Sequence, residues 1–157
     1  MKKNIRFLAL DIDGVLTDGG MYYSESGDEF KKFNTKDGMG IKLIQKQGIP
    51  VGFLSSGKNV NLITNRAKLL DVQHVYVGYD EKLDILEQWC VKLQINIEDV
   101  AYIGDDVNDL NIIAAVGFSA CPNDAVEKVK SAVNIVLKKN GGDACVREFI
   151  DTYLLQP

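Results

Sequence analysis

Short apolar runs alternate with amphipathic segments along most of the chain. Apolar runs of this length are typical of strands that are buried on both faces of a sheet. The segments between them repeat apolar residues at helical spacing, which predicts helices. The predicted strands are Phe7–Leu10, Val51–Leu54, Val75–Val77, Val100–Ile103, Gly117–Ala120 and Asn134–Leu137, and the predicted helices are Gly38–Gln47, Asn59–Leu70, Lys82–Leu93, Val107–Ala115 and Asp143–Leu154.

This alternation predicts an α/β fold with a doubly wound, parallel, Rossmann-like sheet and right-handed crossovers. One segment departs from it, because Met21–Tyr23 and Glu29–Phe33 flank a polar turn that contains glycine. Such a pattern is typical of a β-hairpin. We expect the hairpin to overhang the carboxyl edge of the sheet as a flap. No other insertion is long enough for a cap domain, so we expect one domain over residues 1–157.

Composition narrows the classes of function. The net charge of −4 and the pI of about 5.0 argue against a nucleic-acid or anionic-membrane partner. No apolar run approaches a membrane span, and no signal-peptide pattern is present. Three widely spaced cysteines favour reduced thiols in a cytoplasmic protein. His74 is the single histidine, so a multi-histidine zinc site is excluded and a packing role is expected for it.

Two carboxylates stand directly after the first predicted strand, in the stretch Asp11-Ile12-Asp13-Gly14-Val15-Leu16-Thr17. Because they are two residues apart, we expect both side chains to point the same way from the carboxyl end of a central strand. Open α/β sheets bind their ligands at that end. A second cluster, Asp105, Asp106 and Asp109, follows the strand Val100–Ile103. Like charges this close require a cation or a proton between them, and hard oxygen ligands suit Mg²⁺. Helix capping is the alternative, but it explains one aspartate and not all five.

One further strand end and one helix start carry candidate anion-binding groups. Ser55 ends the strand Val51–Leu54, and Lys82 opens the next helix but one. Taken alone, Ser55 is better explained by helix capping and Lys82 by a solvated surface position. Together with the carboxylates they supply a nucleophile, a second acid, a cation site, a hydroxyl and an ammonium. Phosphoryl transfer requires this set of groups.

The pattern Asp11-Ile12-Asp13-Gly14-Val15-Leu16-Thr17-Asp18-Gly19, followed by Ser55, Lys82 and Gly104-Asp105-Asp106-(x)2-Asp109, resembles the haloacid dehalogenase superfamily of phosphohydrolases. The hairpin, the stretches Lys32–Gly38 and Asn65–Lys68, and the tail Gly141–Glu148 resemble its capless subgroup of sugar-acid phosphatases. The resemblance covers essentially the whole chain. It implies a Mg²⁺-dependent phosphoric monoester hydrolase that works through an aspartyl-phosphate.

The resemblance also implies roles for individual residues. Asp11 attacks phosphorus, and Asp13 protonates the leaving oxygen and later activates water. Mg²⁺ is held by Asp11, the backbone carbonyl of Asp13, and Asp105. The other implied roles are phosphate binding by Ser55 and Lys82, a supporting shell of Asp106 and Asp109, and substrate contacts by Thr35, Arg66, Ser56 and Gly57.

The implied substrate is a phosphorylated 2-keto-3-deoxy sugar acid used in lipopolysaccharide or a related surface glycan. The octulosonate 8-phosphate is favoured, and a nonulosonate (sialic-acid-type) 9-phosphate is the alternative. The chain departs from the subgroup where Ser55-Ser56-Gly57-Lys58 replaces the usual Ser/Thr-Gly-Arg. Lys58 supplies the charge of that arginine without its bidentate geometry, which bears on the choice of sugar.

The resemblance further implies a homotetramer in which a neighbour's hairpin and glycine-rich tail cover the open site. Two other classes of function compete. One is a non-catalytic oligomerisation module that partners an acylneuraminate cytidylyltransferase. The other is a receiver-like signalling domain, which the paired carboxylates disfavour because receivers need no acid for a leaving group.

Overall fold

The fold is a six-stranded parallel sheet with helices on both faces. The computed structural model describes residues 4–155. Its strands are β1 Phe7–Leu10, β4 Val51–Ser56, β5 His74–Gly78, β6 Val100–Ile103, β7 Phe118–Cys121 and β8 Ile135–Val136, with a separate hairpin of β2 Tyr22–Tyr23 and β3 Glu29–Phe30. The six strands lie in the order β5-β4-β1-β6-β7-β8, and every pairing between them is parallel. The predicted doubly wound α/β fold is therefore confirmed.

The helices are close to the predicted ones, with differences at their ends. Helix α1 begins at Thr35 rather than Gly38, because the Asn34 side chain caps it by accepting a hydrogen bond from the Lys36 N–H. The predicted helix Val107–Ala115 is divided into a 3-10 turn and a short α-helix. The bounds are α1 Thr35–Lys46, α2 Val60–Leu69, α3 Lys82–Leu93, α4 Leu110–Ala115, α5 Glu127–Lys130, which the sequence did not predict, and α6 Cys145–Phe149, which continues as a wide turn to Leu154.

The core lies on both faces of β1, whose four residues are completely buried. One face packs under α1, α2 and α6, and the other packs under α3 and α4. His74 lies on the second side in edge contact with the rings of Phe7 and Trp89, which agrees with the expected packing role. The three cysteines are buried free thiols. Between residues 4 and 155, no helix has the length and apolar character needed to cross a membrane.

A buried carboxylate joins α1 to α6. Asp37 is fully buried, and its Oδ1 accepts a hydrogen bond of 2.8 Å from the Arg147 N–H at the start of α6. Its Oδ2 has no hydrogen-bond partner within the described residues. Burial raises the pKa of Asp37 to about 6, against the opposing effects of the α6 N–H groups and Arg66. Between about pH 4 and pH 6, the folded protein therefore holds a proton at Asp37 that the unfolded chain releases.

Asp37→Asn is expected to change how stability depends on pH. The folded pKa lies above the unfolded one, so ionisation of Asp37 destabilises the wild type as pH rises from 4.5 to 7.5. Relative to the variant, the wild type should lose about 2 kcal/mol across this range. Urea unfolding at both pH values measures the difference, with Asp84→Asn as an exposed control. A difference that does not change with pH would contradict the assignment.

Candidate active site

The first acidic motif forms a sharp turn at the carboxyl end of β1. Ile12–Leu16 makes a single wide turn closed by a hydrogen bond of 3.0 Å from the Thr17 N–H to the Ile12 carbonyl. Gly14 has a φ of +84°, and a Cβ there would lie 1.9 Å from Asp105 Oδ2. Only glycine allows this approach. We name residues 11–18 the catalytic turn.

Three carboxylates and one lysine meet at this turn. Asp11 follows β1, Asp105 follows β6, and the two strands are neighbours in the sheet. One oxygen from each of Asp11, Asp105 and Asp109 lies within 4.8 Å of the others. Lys82 Nζ donates to Asp11 Oδ1 and to Asp109 Oδ1, each at 2.8 Å. The pattern of strand ends therefore brings together residues that are far apart in the chain.

Asp109 is the member of this cluster whose carboxylate accepts the most hydrogen bonds within the described residues. It is fully buried, and its Oδ1 accepts hydrogen bonds from Lys82 and from the Tyr102 hydroxyl at 2.6 Å. Its Oδ2 accepts from the backbone N–H of Asp105 at 2.9 Å and of Asp106 at 3.3 Å. Both oxygens are therefore engaged by donors. This arrangement fits a supporting role that fixes Lys82 and the loop carrying Asp105.

The electrostatics of the cluster call for a cation. Burial, followed by the charge of Asp109, raises the pKa of Asp11 against the opposing effect of Lys82. Burial and the charge of Asp11 raise the pKa of Asp105 still further. Lys82 is the reverse case, because its two carboxylate partners outweigh burial and raise its pKa. One ammonium does not neutralise three carboxylates, of which Asp11 and Asp109 are buried and Asp105 is half-buried, so the donor set fits a divalent cation with oxygen ligands.

An open cleft of about 220 Å³ lies above the cluster. Asp11, Asp13 and Asp105 form part of its lining, together with Gly19, Ser56, Asp106 and Asn108. Asn108 Nδ2 donates to Ser56 Oγ at 3.4 Å, which links the loops after β4 and β6. The contribution of Asn108 is not predicted by the sequence motifs discussed above.

Several predicted contact residues do not line this cleft. Ser55 and Lys82 are buried and are not among the lining residues, and Gly57 lies in the loop after β4, where its N–H donates to the Gly78 carbonyl. Thr35 is exposed at the start of α1. Arg66 lies against α1, with its guanidinium 5.2 Å from the centre of the Phe33 ring. Direct contact of Thr35, Arg66 and Gly57 with substrate stays a prediction.

The glycine-rich tail lies against the catalytic turn of its own chain. The Gly142 N–H donates to the Val15 carbonyl at 3.0 Å, and Asn34 Nδ2 donates to the Gly142 carbonyl at 3.3 Å. A Cβ on Gly141 would lie 1.9 Å from the Gly14 carbonyl oxygen, and one on Gly142 would lie 2.4 Å from the Asp18 nitrogen. The glycine-rich tail therefore packs against the backbone of the catalytic turn within one chain.

Gly142→Ala is expected to displace the catalytic turn. The new methyl group would meet backbone atoms of Thr17 and Asp18, which have little freedom to move. Overpacking of this kind costs about 1–3 kcal/mol, and we expect kcat to fall about tenfold because small shifts of positioned groups are costly. Gly48→Ala is the matched control, since Gly48 also has a positive φ but a Cβ there meets nothing within 4 Å. Equal effects of the two variants on kcat would contradict this explanation.

Comparisons with known proteins agree with this geometry. Residues 80–150 match the haloacid dehalogenase-like hydrolase family. The 3-deoxy-D-manno-octulosonate 8-phosphate phosphatase of Yersinia pestis is 38% identical over 97% of this chain and 81% of its own length. The enzyme of that name from Escherichia coli K12 is 38% identical over 98% of this chain and 81% of its own length.

A solved structure extends the likeness to three dimensions. The 3-deoxy-D-manno-octulosonate 8-phosphate phosphatase of Moraxella catarrhalis, in complex with a magnesium ion, a phosphate ion and KDO, superposes with a TM-score of 0.92. It is 34% identical, and the match covers 97% of this chain and 87% of the other. The chain therefore belongs to the 3-deoxy-D-manno-octulosonate 8-phosphate phosphatase family of haloacid dehalogenase-like hydrolases.

Proposed function

We propose that this protein is a Mg²⁺-dependent phosphatase that hydrolyses 3-deoxy-D-manno-octulosonate 8-phosphate. The observation that carries the proposal is the meeting of Asp11, Lys82 and Asp105 at one end of the sheet, under a cleft that also exposes Asp13. Curated relatives that match nearly the whole chain carry this activity in their names. We further propose that the product of this reaction is used in lipopolysaccharide biosynthesis.

The proposed reaction has two steps. A carboxylate oxygen of Asp11 attacks phosphorus, the bond from phosphorus to the sugar oxygen breaks, and Asp13 gives that oxygen a proton. Water then attacks the phosphoryl group and gives a proton to Asp13, which restores the Asp11 carboxylate and releases phosphate. Asp11 is held for this attack by Lys82, which fixes its Oδ1.

The charged phosphoryl group is stabilised by the groups around it. We propose that Asp11, the backbone carbonyl of Asp13, and Asp105 hold Mg²⁺, which when bound neutralises charge on the phosphoryl oxygens. Asp109 lies in the same cluster, but its oxygens are engaged by N–H and O–H donors. Ser55 and Lys82 are proposed to bind the phosphoryl oxygens, and Asp106 to support the site from its rim.

We also propose the finer parts of this picture. The hairpin exposes Met21, Tyr23 and Phe30 by 57–68% of their surface, which supports association with another copy. We propose a homotetramer in which a second copy covers this apolar face and the cleft. The buried free thiols support a cytoplasmic location. The continuous core on both faces of one sheet supports a single catalytic domain.

Phosphate release from purified protein tests the substrate. We expect kcat/KM for the octulosonate 8-phosphate to exceed that for a nonulosonate 9-phosphate by at least about tenfold, with loss of activity in excess EDTA. The reverse preference would assign the nine-carbon alternative. Absence of turnover with both substrates would favour a non-catalytic module. Sedimentation of the same sample tests the tetramer, which a monomer would contradict.

A further inference from the structure

A lysine of the hairpin reaches the catalytic turn. Lys31 follows β3, and its Nζ lies 2.5 Å from Asp13 Oδ1. Only 4% of the Lys31 side chain is exposed, although lysine is normally among the most exposed residues. Burial disfavours the ammonium charge, but Asp13 and then Glu29 raise the pKa of Lys31. Lys31 therefore stays charged at neutral pH.

The contact belongs to a network that fixes the hairpin. Lys31 Nζ also lies 3.4 Å from Glu29 Oε1. The other oxygen of Glu29 accepts a hydrogen bond of 2.6 Å from Asn59 Nδ2 at the start of α2. Because Glu29 side-chain exposure is only 14%, these charged groups are shielded from bulk water. Shielding strengthens their mutual attraction relative to a surface pair.

Asp13 depends on this lysine for its orientation. Its side chain is 47% exposed, and within residues 4–155 Lys31 is the hydrogen-bond donor to its carboxyl group. The contact holds Oδ1 and leaves Oδ2 for proton exchange. An exposed carboxyl without such a contact would rotate among several positions, and a misplaced acid transfers its proton slowly.

We propose that Lys31 is a positioning residue that orients Asp13 for protonation of the leaving oxygen. Because Lys31 belongs to the hairpin, this step then depends on the position of the hairpin against the catalytic turn. The inference rests on the role of Asp13 in the proposed function. In the first step a proton passes from Asp13 Oδ2 to the sugar oxygen as its bond to phosphorus breaks. Asp13 becomes a carboxylate paired with the Lys31 ammonium. Attack by water later returns a proton to Asp13, so protons balance over the cycle.

The proposal is tested by comparing two substrates whose leaving groups differ in basicity. The variant is Lys31→Met, and the measured quantity is kcat/KM, which covers the steps through departure of the leaving group. A sugar alkoxide needs a proton, whereas 4-nitrophenolate leaves as a stable anion. We expect kcat/KM for the octulosonate 8-phosphate to fall about 100-fold, and that for 4-nitrophenyl phosphate to change less than about threefold. Lys31→Arg should recover part of the loss.

Matched variants separate the possible outcomes. Lys32→Met makes the same change at the adjacent, exposed lysine and should leave both substrates unaffected. Asp13→Asn should show the same discrimination as Lys31→Met, and adding Lys31→Met to it should cause no further loss. Equal losses on both substrates in Lys31→Met, with Asp13→Asn still discriminating, would overturn this inference alone. Loss of discrimination in Asp13→Asn, or an inactive wild type, would overturn the proposed function. If Lys31→Met does not fold, Lys31→Arg and Glu29→Gln decide by the same comparison.

Discussion

Asp11→Asn should reduce turnover of the octulosonate 8-phosphate by at least about 10⁴-fold, because an amide oxygen does not replace a carboxylate nucleophile. The fold should survive. Asparagine has the same shape and keeps an oxygen for the Lys82 ammonium, which lies 2.8 Å from Asp11 Oδ1. Burial, and then Asp109, raise the pKa of Asp11 to about 6, so the folded state gains little from this charge. Single-turnover phosphate release and thermal unfolding in EDTA measure the two effects.

Asp84→Asn provides the control for this variant. It makes the same change at an exposed position of α3 and should leave turnover and unfolding temperature unaltered. Residual turnover of Asp11→Asn above about one-thousandth of wild type would show that another group attacks phosphorus. A variant that fails to fold would show instead that the Asp11 charge is needed to hold Lys82.

The sequence alone indicates why residues from distant parts of the chain meet at one site. Central parallel strands are buried on both faces, so β1 and β6 stand out as uninterrupted apolar runs. Their carboxyl ends meet at one edge because the strands are neighbours. Polar residues placed directly after such runs therefore lie together, and this reasoning was sufficient to group Asp11 with Asp105. Lys82 opens α3 rather than following a strand directly, and it was grouped with them only because the full set of groups matches phosphoryl transfer and the family resemblance.

Contacts that depend on loop geometry could not be predicted in this way. The pairing of Lys31 with Asp13 depends on how the hairpin bends back over the turn, which no periodicity reports. The approach of Gly142 to Thr17 and Asp18 joins segments more than a hundred residues apart through backbone atoms alone. Asp109 was expected on a helix, but the hydrogen bonds to both of its oxygens fix a 3-10 turn there instead.

Residues that contact the substrate were harder to assign from the sequence than the aspartates of the acidic cluster. The carboxylates of Asp11 and Asp105 follow the ends of β1 and β6, and the positions of those ends are set by the sheet. Arg66 sits on α2 and reaches the Asn34 carbonyl at 3.4 Å, so its reach depends on side-chain packing between two helices. Its guanidinium also lies above the Phe33 ring. Because Phe33 and Asn34 lie between β3 and α1, Arg66 contacts the segment that joins the hairpin to α1.

Lys82→Met is expected to combine a large loss of stability with a large loss of activity. Lys82 is 3% exposed and is the ammonium between Asp11 and Asp109, which are both buried. Its removal leaves carboxylates without a counter-charge, and breaking a buried pair in this way costs about 3–5 kcal/mol. For a chain of this size the cost corresponds to a fall of about 10 °C in Tm. We expect kcat to fall at least about 10³-fold, because both Asp11 and the phosphoryl oxygens lose a positive partner.

Lys92→Met is the matched control, because it makes the same change on the same helix at an exposed position and should alter neither Tm nor kcat. Thermal unfolding of the variant in EDTA and in excess Mg²⁺ separates two contributions. If the carboxylates are destabilising because they are uncompensated, Mg²⁺ should restore more Tm in Lys82→Met than in wild type, since the ion supplies the missing positive charge. An unchanged Tm in EDTA would contradict the proposed role of Lys82 as the counter-charge of the buried cluster. A lowered Tm with full activity would restrict that role to folding and remove Lys82 from the phosphate site.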